Sequence, residues 1–237
     1  RLAALMKLPV KYVWTHDAFR VGEDGPTHQP VEQEAQIRLM EQLKNHDHKN
    51  STLVLRPADA LETSVCWKLA MENTESPTAL LLSRQNINDL PTKAGSTRYN
   101  DALAASKGAY IAKDCTGTPD VILVANGSEV STLVDGAAKL ESEKGLKIRI
   151  VSAPSEGLFR DQPLNYQLSV LDPAVPTFGL TAGLPVTLRG LVGPRGMVAG
   201  LDHFGYSAPY KVLDEKFGYT GDTVFRKVLE YLDNLKK

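Results

Sequence analysis

Val10, Tyr12 and Trp14 alternate with Lys11 and Val13, and the run then gives way to small and polar residues. A β-branched and aromatic alternation of this kind predicts a strand over 10–14 that empties into a loop. Beyond Pro30 the period changes. Val31, Ala35, Leu39 and Leu43 recur at every fourth position, which predicts a helix over 31–43. The proline sits at the first turn, where it costs no hydrogen bond. A strand over 52–55, a helix over 60–72 and a strand over 78–82 follow, the helix opened by the capping-box pair Asp59 and Glu62. Strands alternating with helices imply right-handed crossovers and a parallel sheet. The loops after Trp14 and Leu82 therefore leave on one edge, at the carboxyl ends of strands, where open sheets hold ligands.

Residues 88–107 lose the period and contain Pro91, Gly95, Ser96 and Thr97, which predicts a linker. A second α/β unit then has strands over 109–112, 121–125, 147–151 and 177–180. Its helices are predicted over 129–144, 210–217 (closed by Gly218) and 223–235, with a glycine-rich stretch over 183–200. The fold class expected is α/β, two three-layer α/β/α units, divided into 1–92, a linker over 93–107, and 108–237.

Candidate chemistry gathers in the first strand-to-helix loop, Thr-His-Asp-Ala-Phe-Arg-Val-Gly-Glu-Asp-Gly-Pro-Thr-His-Gln-Pro. It holds His16, Asp24 and His28 between glycines that shape the turn. Arg84 alone reads as an ordinary surface cation, but it follows a parallel strand end equivalent to that of His16. Asp24 alone could be an Asx-type turn former before Gly25 and Pro26. Asn126, Gly127 and Ser128 follow a buried-type strand and open a helix. A serine N-cap on a tight turn is the simpler reading there, an anion position the other. His46, Asp47 and His48 lie among Lys44, Asn45, Lys49 and Asn50 and read as a solvated loop, so no metal site is expected.

The string from Thr15 to Glu32, followed in order by Leu55-Arg56-Pro57-Ala58-Asp59, Ser83-Arg84-Gln85-Asn86, Asn126-Gly127-Ser128-Glu129-Val130, Gly200-Leu201-Asp202 and Ser207-Ala208-Pro209, resembles the transketolases. These are thiamine-diphosphate and Mg²⁺-dependent transferases of the pentose phosphate pathway that move two-carbon ketol units between sugar phosphates. The resemblance implies a pyrimidine-binding domain, shortened at its N-terminus, followed by a transketolase C-terminal domain. The chain would then be about the last third of a family polypeptide, cytoplasmic and homodimeric when whole. It implies that His16 and Arg84 grip the sugar phosphate. Asp24 would bond the C2 hydroxyl, and His28 would act at the reacting carbons near the thiazolium. Arg offers a planar fork to phosphate, a carboxylate can only accept, and histidine titrates near neutrality. Ala18 and Arg20 stand where many family members have Ser and Gly, so the local polarity of the loop differs. The family's activating glutamate, metal ligands and diphosphate-binding groups would all lie outside this chain. It is therefore expected to bind no cofactor and to be inactive alone. A dihydroxyacetone synthase shares these motifs, and a non-catalytic dimerisation or binding module is the reading from another class.

The remaining features only narrow the field. In 237 residues, 42% hydrophobic and 23% charged, there is room for one large or two ordinary domains. A net charge of −1 gives no electrostatic case for nucleic acid or an anionic membrane, and no apolar run reaches a membrane span. Two cysteines, Cys66 and Cys115, are too few for a disulfide framework. Cys66 falls in a helical pattern as a small core residue, which suits a reducing compartment.

Overall fold

A computed structural model describes residues 1–236. The first unit begins with a short helix α1 (Leu2–Leu5) and strand β1 (Lys11–Trp14), then a 3-10 segment Phe19–Asp24 and helix α2 (Gln33–Gln42). Strand β2 (Leu53–Leu55), helix α3 (Ala60–Glu72) and strand β3 (Thr78–Leu81) complete it. The three strands form a parallel sheet in the order β1-β3-β2. Side chains alternate across a strand, and both faces are used. Leu55 and Leu80 pack with Cys66 and Ala70 of α3, while Val54, Ala79 and Leu81 meet Ile37 of α2. The capping box is formed: Asp59 accepts from the Glu62 N–H at 2.8 Å, and Glu62 accepts from the Ala58 N–H at 2.8 Å.

The segment expected as a linker, 93–107, is not a loose connection. It contains helix α4 (Arg98–Ala102) and a 3-10 segment Leu103–Lys107, packed on α3. Arg98 is buried, with Nε 2.5 Å from Asp59 and Nη2 2.8 Å from the Tyr110 hydroxyl, which donates to Glu62 at 2.6 Å. The sequence lacks a period there because the helix is one turn long and anchored by a charge rather than by an apolar stripe.

The second unit has strands β4 (Tyr110–Lys113), β5 (Val121–Ala125), β6 (Ile148–Ser152), β7 (Thr177–Leu180) and β8 (Met197–Ala199), ordered β4-β6-β5-β7-β8. Only β4 runs antiparallel. The long helix α5 (Glu129–Lys144) is followed by α6 (Glu156–Arg160), α7 (Leu164–Val170), α8 (Val186–Val192), α9 (Tyr210–Phe217) and α10 (Gly221–Asn234). Period two again loads two faces. Leu123 and Ile150 enter the core shared with Leu133, Val224 and Val228, whereas Ile122, Val124 and Val151 meet Phe159, Leu188 and Leu191. The glycine-rich stretch 183–200 thus holds a helix and an edge strand that its composition conceals.

The two free cysteines differ in setting. Cys66 is buried and Cys115 partly exposed. Burial pushes the Cys66 thiol well above its usual range, and Glu62 and Asp59 add to the effect. The thiolate is the reactive form. A colorimetric thiol reagent should therefore titrate Cys115 alone in the native chain, with Cys66 appearing only on unfolding. Rapid modification of both would mean that α3 opens readily.

Candidate functional site

Strands β1 and β3 lie side by side in parallel register, with Trp14 opposite Leu81, and the Leu82 N–H donates to the Trp14 carbonyl at 2.7 Å. The chain segments carrying His16 and Arg84 therefore leave one sheet edge next to each other. Ser83 Oγ donates to Asp17 Oδ2 at 3.2 Å, tying the two strand ends together. His16 is half-buried, with Nδ1 3.1 Å from Thr15 Oγ1, while Arg84 is exposed. Asp24 and His28 are both exposed on the following loop, and His28 Nδ1 lies 2.8 Å from Thr27 Oγ1. Among the described residues, no hydrogen bond or ion pair joins any two of these four side chains. They share an edge and a loop, open to solvent.

What shapes that loop is the second unit. Ser207 Oγ donates to the Glu23 carbonyl at 2.6 Å, and Gln29 Nε2 donates to the carbonyls of Gly22 at 2.7 Å and Tyr206 at 2.9 Å. Gly25 has φ +77°, and a Cβ there would press on the Ser207 side chain at 3.2 Å. That combination of left-handed backbone and close approach requires glycine. The serine-alanine-proline motif far downstream is thus a brace for the loop.

Behind the exposed edge lies a buried charge network that the sequence motifs contain but do not reveal. Arg56 is fully buried. Its guanidinium donates to Asp17 Oδ2 through Nε at 3.0 Å and Nη2 at 2.8 Å. Nη1 reaches Asn126 Oδ1 at 2.6 Å and also bonds Glu129. Burial opposes this charge, but Glu129, Asp17 and Glu34 outweigh it and hold the guanidinium well above its ordinary pKa. Glu34 is likewise held below the usual carboxylate range, because Arg56 and Arg38 overcome its burial. The network crosses from the first unit to the start of α5. Gly127 there has φ +58°, and a Cβ would sit 2.5 Å from Arg56 Cζ. The only sequence signal was a charged residue placed directly after a fully apolar strand, Arg56 after β2 and Glu129 shortly after β5.

This settles the Asn126–Ser128 turn. Gly127 makes the expected tight turn and Ser128 holds the N-cap position of α5. Ser128 makes no capping bond; its hydroxyl accepts from Arg20 and donates to Glu129 at 3.0 Å. The guanidiniums of Arg20 and Arg56 both approach the helix start and both pair with Glu129. Among the described residues no cluster of three or more His, Cys, Asp or Glu could hold a metal ion. His46, Asp47 and His48 stay on an exposed loop where Asp47 pairs with Lys7.

Fold and site together define a two-unit α/β chain with a polar strand-end edge braced by its second unit. Comparisons with known proteins make this specific. Residues 1–89 match the transketolase pyrimidine-binding domain and residues 108–220 the transketolase-like C-terminal domain. The transketolase of Halalkalibacterium halodurans is 44% identical over 236 residues, covering 99% of this chain and 33% of the relative. Transketolase from Leishmania mexicana superposes with a TM-score of 0.83 at 37% identity, covering 98% of this chain and 32% of that one. A Pichia stipitis transketolase in complex with sedoheptulose-7-phosphate gives 0.81 at 36% identity, over 99% and 32%. The chain belongs to the transketolase family. It spans about a third of the length of the relatives it matches.

Proposed function

We propose that this chain supplies the sugar-phosphate side of a transketolase active site. The complete enzyme would transfer a two-carbon ketol unit from a ketose phosphate to an aldose phosphate. The observation that carries this reading is the adjacency of the His16 and Arg84 strand ends beside the braced loop of Asp24 and His28. Arg84 presents a charged fork to phosphate oxygens, with His16 a second donor. Asp24 accepts from the C2 hydroxyl, and an inverted centre leaves the carboxylate unpaired. His28 holds or gives a proton at a substrate oxygen near the reacting carbons, histidine being the side chain most often used for general acid–base work. Thiamine diphosphate and Mg²⁺ belong to this proposal through the family, together with homodimerisation and a cytoplasmic setting. The groups holding them would lie outside the described residues. We take 1–92 and 108–237 as the two domains, with the packed segment 93–107 as the strut between them.

A chimera tests this reading: the unmatched first two thirds of the Halalkalibacterium halodurans enzyme fused to this chain. Turnover of xylulose 5-phosphate with ribose 5-phosphate is the expected result. A folded, dimeric chimera that binds cofactor without turnover would overturn it. Preference for formaldehyde as acceptor would instead assign a dihydroxyacetone synthase. The chain by itself should show no ketol transfer and no micromolar affinity for thiamine diphosphate by calorimetry, and turnover by it alone would refute the assignment of the cofactor groups.

A further inference from the structure

Arg20 lies on the active loop but points away from its exposed edge. It is 6% exposed, and every hydrogen-bond partner belongs to the second unit. Nε donates to Asp214 Oδ1 at 2.7 Å, Nη1 to Ser128 Oγ at 2.8 Å and Glu129 Oε1 at 3.3 Å, and Nη2 to Thr132 Oγ1 at 3.0 Å and the Tyr219 carbonyl at 3.4 Å. The guanidinium carbon also sits 5.6 Å from the Phe19 ring centre and 6.0 Å from that of Tyr219. A planar fork can satisfy partners on α5, α9 and the turn after α9 at once, which a glycine cannot do.

We propose that Arg20 is a positioning residue, a clasp by which the second unit fixes the loop bearing Asp24 and His28 relative to the substrate. Asp24 lies four residues after Arg20, beyond a kink at Gly22 (φ +86°), so the guanidinium fixes the near side of the turn that carries Asp24. The neighbouring Phe19 ring stacks edge-on to Phe217 at 5.0 Å and packs on Tyr219 at 4.8 Å. That apolar anchor survives loss of the guanidinium, so a variant loosens the loop without releasing the unit. The catalytic consequence rests on the transketolase reading above; the mechanical one does not.

Hydrogen exchange on the chain itself separates the two. In Arg20→Gln the amides of residues 22–25 and 27–29 should exchange about tenfold faster, while β5 and β6 keep their protection. Asp214→Asn, which removes the link from the other side, should act in the same direction. Arg20→Lys should restore part of the protection, because it keeps the charge at Asp214 and loses the fork. Unchanged exchange over 22–29 would overturn the proposal, as would a uniform rise through both sheets, which would make Arg20 a global stabiliser only. In the chimera, Arg20→Gln should lower kcat about tenfold with the KM for ribose 5-phosphate nearly unchanged, since small misplacement of reacting groups costs rate. A loosened loop with unchanged kcat would refute the positioning role. An inactive parent chimera would sink the functional reading and leave the exchange result standing.

Discussion

Replacing Arg56 with methionine is expected to destabilise the chain by about 3–5 kcal/mol, the cost of leaving buried partners without their counter-charge. Arg56 is fully buried, and its partners Asp17, Glu34 and Glu129 are buried with it. Urea unfolding at neutral pH measures this loss, with the slope held constant to exclude a change in the unfolded state. The loss should shrink on acidification. Glu34 has a lowered folded pKa, so its contribution is present above its unfolded value of about 4.3 and lost as pH falls through the folded one. The variant lacks Arg56, the stronger of the two cations behind that lowering, and so has less to lose. A pH-independent loss, or one below about 1 kcal/mol, would mean that the network is hydrated and contributes little.

The second large effect concerns phosphate recognition. In the chimera, Arg84→Ala should raise the KM for phosphorylated acceptors roughly ten- to a hundred-fold, corresponding to about 1.5–3 kcal/mol for a lost charge-assisted bond. Unphosphorylated aldehydes should be nearly unaffected. Arg84 is exposed and its side chain makes no hydrogen bond or ion pair among the described residues, so its removal should leave folding unchanged. Asp24→Ala should act differently, eroding discrimination between C2 epimers while phosphate dependence persists. Equal losses for phosphorylated and unphosphorylated substrates in Arg84→Ala would assign the residue to the loop rather than to a clamp.

The network also explains why the two units stay together. Arg20, Arg56 and Arg98 each carry charge from one part of the chain to a buried acid elsewhere. Removing one partner leaves its neighbours buried and uncompensated, so these contacts fix one relative arrangement more than they add net stability. No helix among the described residues is long and apolar enough to cross a membrane, in keeping with cores built from these short layers.

Local periodicity alone determined strands β1 to β7, the helix over Ala60–Glu72 with its capping box, and the long helix Glu129–Lys144. These are legible because each loads one face at a fixed spacing, a property of neighbouring residues. That the His16 and Arg84 strand ends share one edge followed from the same pattern, since parallel strands end together, whereas the fold decided that β1 and β3 are neighbours. The short helix Arg98–Ala102, the helix and edge strand hidden at 183–200, and the side on which Arg20 lies were decided by tertiary structure. Their determinants are partners far away in the chain: Asp59 for Arg98, Asp214 for Arg20, Asn126 and Glu129 for Arg56. A charged residue reads as solvent-facing until the fold supplies a buried counter-charge, and only the assembled layers bring that counter-charge within reach.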